Sequence, residues 1–267
     1  MKNGVSVVII TKNEEANIED CLELVKWANE IVVVDSYSTD KTVDICRMYT
    51  NKVFLREFDG YGTQRNFAAE QAVGPWIFVV DADERVPREL RDEILAVVSD
   101  ESHGCVAFLI PTLDYMFGKM IRHGGWYPQY HVRLYKKGHA SWKGTVHEKL
   151  EVVGKIGYLK TPILHYSHHT ISGFVQKMDR YTSLEAEDLW KQGKRASILR
   201  MLGWPILVFC YKYFLKLGFL DGVHGLVLAV SLAYYHFLKH AKLWEMDFKA
   251  RQKLEIQRTQ GKNNDSA

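Results

Sequence analysis

The sequence predicts an α/β protein with a mostly parallel sheet flanked by helices, followed by a separate helical region. Three observations predict it. The first hundred residues alternate short apolar runs with amphipathic stretches, as βαβ units do. The polar and acidic clusters fall at the carboxyl ends of those runs, where open α/β sheets bind ligands. The last third changes character, with two long aromatic-rich apolar stretches and a run of basic residues.

Strands are expected at 5–10, 30–34, 52–57 and 76–80, and helices at 15–28, 40–49, 61–71 and 88–98. Thr39 and Asp40 have the chemistry of helix caps, and Pro87 suits the first turn of the fourth helix. No GxGxxG follows the first strand, so the dinucleotide fingerprint is missing. From Cys105 to about Tyr166 the pattern shifts to short strands and Gly-rich aromatic turns, which suit an acceptor pocket or a lid. The stretches 203–220 and 222–238 are near or below a membrane-spanning length and rich in Trp, Tyr and Phe. They are expected to form a helical hairpin lying on or dipping into a membrane surface. The tail after Gln257 has the composition of a disordered segment. The expected organisation is therefore an α/β domain over 1–170 in two halves, 1–100 and 101–170, which the motifs below make the nucleotide-side and acceptor-side halves. Basic amphipathic helices over 171–256 and a tail over 257–267 complete it.

Composition narrows the classes. With 267 residues, 47% of them apolar, the chain can build one large α/β domain and an appendage. A net charge of +3 is too small for general nucleic-acid binding. The charge is uneven, however: Lys191, Lys194, Arg195, Arg200, Lys212 and Lys216 follow one another with no acidic residue between them. That run is expected to face anionic lipid of the inner leaflet. The four scattered cysteines form no CxxC and are expected to be reduced, packed thiols. The amino terminus leads directly into a strand without a signal-peptide pattern, so the chain is expected on the cytoplasmic side.

The chemistry centres on Val80-Asp81-Ala82-Asp83-Glu84, where an apolar strand ends in two carboxylates at i and i+2. Such a pair suits Mg²⁺ or Mn²⁺, with the rest of the shell left to water and substrate phosphates. Alone, a DxD triplet is as often a strand-end cap. Around it stand Thr11-Lys12-Asn13-Glu14 after the first strand, Asp35 to Asp40 after the second, and Gln64-Arg65-Asn66 near the start of the third helix. An acidic residue at a strand end suits a base edge or ribose hydroxyl, and Arg65 suits a phosphate or a stacked base. His147-Glu148 offers a general base for a hydroxyl attacking a sugar carbon. Arg133 can neutralise a leaving diphosphate, and a neutral histidine among His165, His168 and His169 can complete a metal shell. A zinc-finger or HExxH pattern is missing.

With these motifs in view, the chain resembles the inverting nucleotide-sugar glycosyltransferases of family 2, which have the GT-A fold. Among them it is most similar to the bacterial lipopolysaccharide core enzymes that add glucose to inner-core heptose. The resemblance rests on the segments 6–15, 34–40, 64–66 and 80–84 occurring in the family's order. It implies that Thr11, Asn13, Glu14, Asp35, Arg65 and Asp81 line the nucleotide pocket. It also implies that Asp83 is the principal metal ligand, with Asp81 and His165 beside it. Where many members carry a Glu-Asp pair as the base, this chain has Val146-His147-Glu148, so Glu148 is the expected base and His147 the alternative. The implied reaction is metal-dependent transfer of a hexose, glucose from UDP-glucose, to a lipid-linked saccharide at the cytoplasmic face of the inner membrane. A polyprenyl-linked glycan or polyprenyl phosphate is the alternative acceptor. The rival classes are a nucleotidyltransferase, which would show a Gly-rich phosphate loop, and a membrane scaffold without catalysis.

Overall fold

The computed structural model describes residues 4–143 and 149–264, the stretch 254–264 as backbone only. The chain divides into two compact units. Met1–Tyr115 with Tyr127–Ser167 form the first, and Met116–Trp126 with His168–Ala267 the second. The boundary at 168 lies close to the expected 170, but the hairpin 116–126 belongs to the helical unit, although nothing in its sequence marks it as part of a helical region.

In the first unit, β1 (Val5–Thr11), α1 (Ile18–Val25), β2 (Glu30–Asp35), α2 (Thr42–Tyr49), β3 (Val53–Leu55), α3 (Tyr61–Gln71) and β4 (Trp76–Val79) follow in order. Then come β5 (Glu84–Arg85), α4 (Arg88–Ser99), β6 (Ala107–Met116), β7 (Lys119–Met120) and β8 (Gln129–Lys136), with β7 in the hairpin of the second unit. The series closes with β9 (Ala140–Lys143), β10 (Lys149–Val152), β11 (Ile156–Tyr158) and β12 (Ile163–His168). The central sheet has the order β3-β2-β1-β4-β8-β6-β12-β5. Its β3, β2, β1 and β4 are parallel, and β8 joins antiparallel to both β4 and β6. Helices return the chain between the parallel strands, since parallel neighbours cannot be joined by a tight hairpin.

The core follows from the sequence pattern. Ile18, Cys21, Leu22 and Val25 of α1, spaced i, i+3, i+4, i+7, are all buried. Leu90, Ile94 and Val98 make the same inward stripe on α4. They pack on Val7, Ile9, Val33 and Phe78 of the sheet. Each such side chain stabilises the fold by roughly 1.5–3 kcal/mol relative to an exposed one.

Several element ends differ from expectation. α1 begins at Ile18, because residues 14–17 form a turn closed by Asn17 N–H to Glu14 O at 2.9 Å. α2 begins at Thr42, and Asp40 accepts the Thr42 N–H at 3.0 Å, so the expected cap acts two residues before the helix rather than at its first turn. Pro87 precedes α4 in extended conformation instead of entering its first turn. β3 contracts to three residues. Cys21, Cys46 and Cys105 are buried free thiols and Cys210 an exposed one.

In the second unit, α5 (Ile171–Lys191), α6 (Ile198–Cys210) and α7 (Val223–Asn264) form antiparallel packing pairs, α5 and α6 each lying along α7. Thr170 caps α5 by accepting the Gly173 N–H at 3.1 Å. Phe174, Met178 and Leu228 meet Met116 and Ile121 in a small apolar core. A π-turn (Tyr211–Leu215) and a 3₁₀ turn (Gly218–Asp221) connect α6 to α7. Gly225 is essential at this elbow, since a Cβ there would sit 1.8 Å from the Gly218 carbonyl oxygen. The expected hairpin is therefore present, but α7 runs on to Asn264, through most of the tail for which composition predicts disorder. The Lys, Arg, Gln and Glu of that stretch are all competent helix formers. Among the described residues, one stretch, Ile198–Leu215, is long and apolar enough by length and composition to cross a membrane, and none of it is buried.

Candidate active site

The site forms where β4 ends and the chain turns through Asp81, Ala82 and Asp83 into β5. Four separate stretches converge on it. β8 runs antiparallel to β4 with Leu134 opposite Phe78, which brings Arg133 to the end of β4. β12 pairs antiparallel with β5, His165 opposite Glu84, and its neighbour β6 supplies Asp114. α3 supplies Arg65.

Two connected charge groups result. In the first, Asp81 is held by Arg65 Nη2 at 2.7 Å and Arg133 Nη1 at 3.1 Å. Arg133 Nη2 also reaches Glu84 Oε1 at 2.5 Å, and Glu84 accepts the Asp81 N–H at 2.8 Å. Burial would raise the Asp81 carboxyl, but the Arg133 and Arg65 guanidiniums hold it well below the usual carboxylate range. Glu84 is fully buried, and burial pushes its carboxyl up to about 7 in spite of Arg133, with Asp81 adding to the rise. In the second group, His165 bridges two carboxylates, Nδ1 to Asp114 at 2.8 Å and Nε2 to Asp83 at 3.2 Å. Burial alone would lower the imidazole's pKa, but its bonds to Asp114 and Asp83 push it up to about 10.

This second group fits a divalent cation. Raised in this way, the imidazole is a cation that donates from both ring nitrogens; a divalent ion would have to displace the Nε2 proton, leaving Nε2 and the Asp83 carboxylate to hold it while Asp114 keeps Nδ1–H oriented. Among the described residues no set of three His, Cys, Asp or Glu side chains surrounds one point. A two-ligand site of this kind leaves the remaining positions to water and substrate phosphate, as Mg²⁺ sites do. Asp81, expected as a further metal ligand, has both oxygens engaged by arginines and would need to release one of them to join. Arg133, expected to face the leaving diphosphate, has two nitrogens bound to Asp81 and Glu84. In this arrangement it clamps the acidic turn.

The nucleotide-side residues hold one another in place. Asp35 is buried, its Oδ2 accepting from the Thr11 hydroxyl at 2.8 Å and the Ser38 hydroxyl at 2.5 Å, and its Oδ1 from the Ser38 N–H at 2.7 Å. Asn13, at φ +55°, donates its N–H to Ser38 Oγ and accepts the Thr39 N–H through its side chain, both at 2.8 Å. The ends of β1 and β2 are thereby tied into one rim. Burial raises the carboxyl of Glu14 above its ordinary value, against the bond from Asn17. Arg65 lies over the Trp142 ring at 4.8 Å. The Arg65 Nε, Arg133 Nε and Trp142 Nε1 atoms are buried without a hydrogen-bond partner, three unsatisfied donors close to the acidic turn.

Glu148 and His147, the expected bases, lie outside the described residues. What leads to them is described: Asn66 of α3 donates to the Trp142 carbonyl and accepts the Trp142 N–H, both at 2.9 Å, and so fixes β9 just before that segment. Sequence reasoning missed Asp114, Trp142 and the buried role of Glu84. Only Glu84 had a local signal, being the third acid of the DxDE run.

This geometry, an acidic turn at the carboxyl end of parallel strands with a nucleotide-side rim, defines a GT-A-like glycosyltransferase. The family model for glycosyl transferase family 2 matches residues 6–149. The chain belongs to that family and is a nucleotide-sugar glycosyltransferase. An uncharacterized glycosyltransferase of Rickettsia typhi is 34% identical, over 92% of this chain and 89% of its own length. The lipopolysaccharide core biosynthesis glycosyltransferase LpsC of Rhizobium meliloti is 30% identical, over 91% of this chain and 93% of its own. Among solved structures, Staphylococcus aureus TarS 1–349 in complex with UDP aligns over 94% of this chain and 92% of its own, with 18% identity and a TM-score of 0.48.

Proposed function

We propose that the protein transfers a hexose, glucose from UDP-glucose, to a lipid-linked saccharide, the inner-core heptose of lipopolysaccharide, at the cytoplasmic face of the inner membrane. The observation that carries the site reading is the convergence of Asp83 and His165 Nε2, backed by Asp114, at the end of β4. The acceptor reading is supported by the alignment with LpsC, which extends through the helical unit as well as the catalytic one. The exposed basic and aromatic character of that unit supports a membrane-surface location.

In this reading Asp83 and His165 hold a divalent cation, Mg²⁺ or Mn²⁺. When bound, it neutralises the diphosphate and eases its departure. Thr11, Asn13, Glu14 and Asp35 shape the rim for the nucleoside, and Arg65 with Trp142 lines the cleft beside it. Arg133 and Glu84 fix the direction of the Asp81–Asp83 turn. Glu148, or His147 in its place, takes the proton of the acceptor hydroxyl. That oxygen bonds to the anomeric carbon while the bond from that carbon to the diphosphate oxygen breaks, a single in-line displacement that inverts the configuration.

The test is UDP release by the purified chain with UDP-glucose and Mg²⁺ or Mn²⁺, with and without a heptose-containing lipid acceptor, repeated after chelation. Acceptor-dependent, chelator-sensitive release is expected. Release that needs a polyprenyl phosphate instead would move the acceptor, and release indifferent to chelation would remove the metal from the scheme.

A further inference from the structure

Between Asp188 and Glu245 the sole acidic residue is Asp221, and it is already committed. Asp221 is 3% exposed. Its Oδ2 accepts the backbone N–H groups of Arg122 and His123 at 3.1 and 2.7 Å, and its Oδ1 lies 3.2 Å from His123 Nδ1. Lys119 Nζ bonds its carbonyl at 2.8 Å. The acid thus folds the turn 122–126 onto the elbow between α6 and α7, within the second unit. Gly124 N–H then donates to the Lys216 carbonyl at 2.8 Å.

The turn is built to be approached closely. Gly124 and Gly125 have φ +69° and +74°, and a Cβ on Gly125 would stand 3.2 Å from Lys212 Nζ and 3.6 Å from Lys216 Cγ. Lys212 and Lys216, one helical turn apart in sequence, therefore lie over a stretch of bare backbone. Among the described residues neither they nor Arg122 has an acidic partner. Lys212 is half-buried, and an ammonium there without a counter-charge is costly. In the same connection between α6 and α7, Phe214, Leu215 and Leu220 are 55%, 74% and 54% exposed. A cationic notch bordered by exposed apolar side chains complements one chemistry, an anionic headgroup joined to hydrocarbon.

We propose that the turn at Arg122–Gly125, together with Lys212 and Lys216, binds the phosphate of a membrane lipid headgroup, with the lipid's acyl region against Phe214, Leu215 and Leu220. The site rests on the membrane-surface reading above and gives it a specific point of contact. Gly125 keeps the turn free of a side chain beneath the lysines, the lysines supply the phosphate's counter-charge, and Asp221 holds the turn in place without competing for the cations.

The experiment is co-sedimentation of the full chain with phosphatidylcholine vesicles with and without phosphatidylglycerol, with UDP-glucose binding measured on the same samples. Lys212→Gln/Lys216→Gln is expected to weaken binding to the anionic vesicles at least tenfold, and Gly125→Ala to weaken it severalfold. Lys149→Gln/Lys160→Gln, an equal charge loss on the catalytic unit, is expected to change it less than threefold. Equal losses in the two double variants would mean general attraction and overturn the site. So would unchanged binding in Gly125→Ala together with the lysine pair. Full displacement from vesicles by millimolar inorganic phosphate would identify a free-phosphate site and overturn the lipid assignment. Wild-type protein that binds vesicles through the lysines but takes no UDP-glucose would sink the donor reading and leave the lipid site standing.

Discussion

The acidic turn of the first unit and the elbow of the second treat charge in opposite ways. In the acidic turn and the strand beside it the carboxylates meet cations: Asp81 has two arginines, Glu84 one, and a single imidazole serves Asp83 and Asp114. Around the elbow of the helical unit, Lys212, Lys216 and Arg122 meet no acid among the described residues, and large apolar side chains stand in solvent next to them. Buried charge is stable only when paired, so the first unit closes its account internally. Exposed charge of one sign, beside exposed apolar surface, calls for a partner from outside. The same residue types therefore act as architecture at the acidic turn and, in the proposed reading, as an interaction surface at the elbow.

The largest effect should come from Asp83→Asn. It is expected to lower acceptor-dependent UDP release by about 10²–10³-fold while the thermal midpoint stays near wild type, because it removes a convergent oxygen at a half-buried position and keeps the side chain's volume. Steady-state kinetics at saturating Mn²⁺ and a melting curve check both halves. Next is Glu84→Gln, which leaves the buried Arg133 with one acid instead of two. Urea unfolding should show a loss of about 3 kcal/mol, the scale for breaking a buried pair. A loss within error would mean that water or Asp81 alone satisfies Arg133, and the contrast between the units would weaken.

Asp114→Asn tests the indirect layer. It should weaken Mn²⁺ binding by about 10–100-fold, measured by calorimetry, because the imidazole loses the charged group that orients Nδ1. On the other side of the comparison, Leu199→Ser should leave urea stability within about 0.5 kcal/mol, as a surface change does. Leu199 is 82% exposed, so its cost should appear only as weaker vesicle binding. The smallest effect concerns Glu30, which accepts from the Ser6 hydroxyl at 2.5 Å and the Val73 N–H at 2.8 Å and pairs with Lys52. Burial would raise its carboxyl, but these partners hold it below its ordinary value. Its contribution is complete above the unfolded-state pKa and is lost as pH falls through the folded one. Glu30→Gln should therefore lower stability by a constant amount above about pH 6 and converge on wild type at acid pH, which flattens the acid side of the profile.

Much of the first unit was legible because local pattern and tertiary role coincide there. An apolar run such as 76–80 has few uses other than a buried strand, and the i, i+3, i+4, i+7 stripe of α1 can face only a core. The Asp81–Asp83 pair was visible for the same reason, since its position at a strand end is a local fact. Asp114 and Trp142 were not. Asp114 sits in an apolar strand with no motif, and its meaning depends on the β6–β12 neighbourhood that carries it to His165. The helical ends were misjudged where a side chain or turn replaced helical bonding, as at residues 14–17 and at Asp40.

The sequence by itself determined the class of fold, the order of the parallel strands' elements, the family and the location of the acidic turn. These depend on periodicity and on short motifs, which survive without knowledge of long-range contacts. Tertiary structure alone decided which cation meets which acid. Arg133 lies 52 positions from Asp81 and His165 lies 82 from Asp83, and antiparallel register, which no local pattern encodes, sets both meetings. It likewise decided that the lone acid of a basic stretch would be spent on a backbone turn, leaving Lys212 and Lys216 over Gly125 without an acidic partner among the described residues.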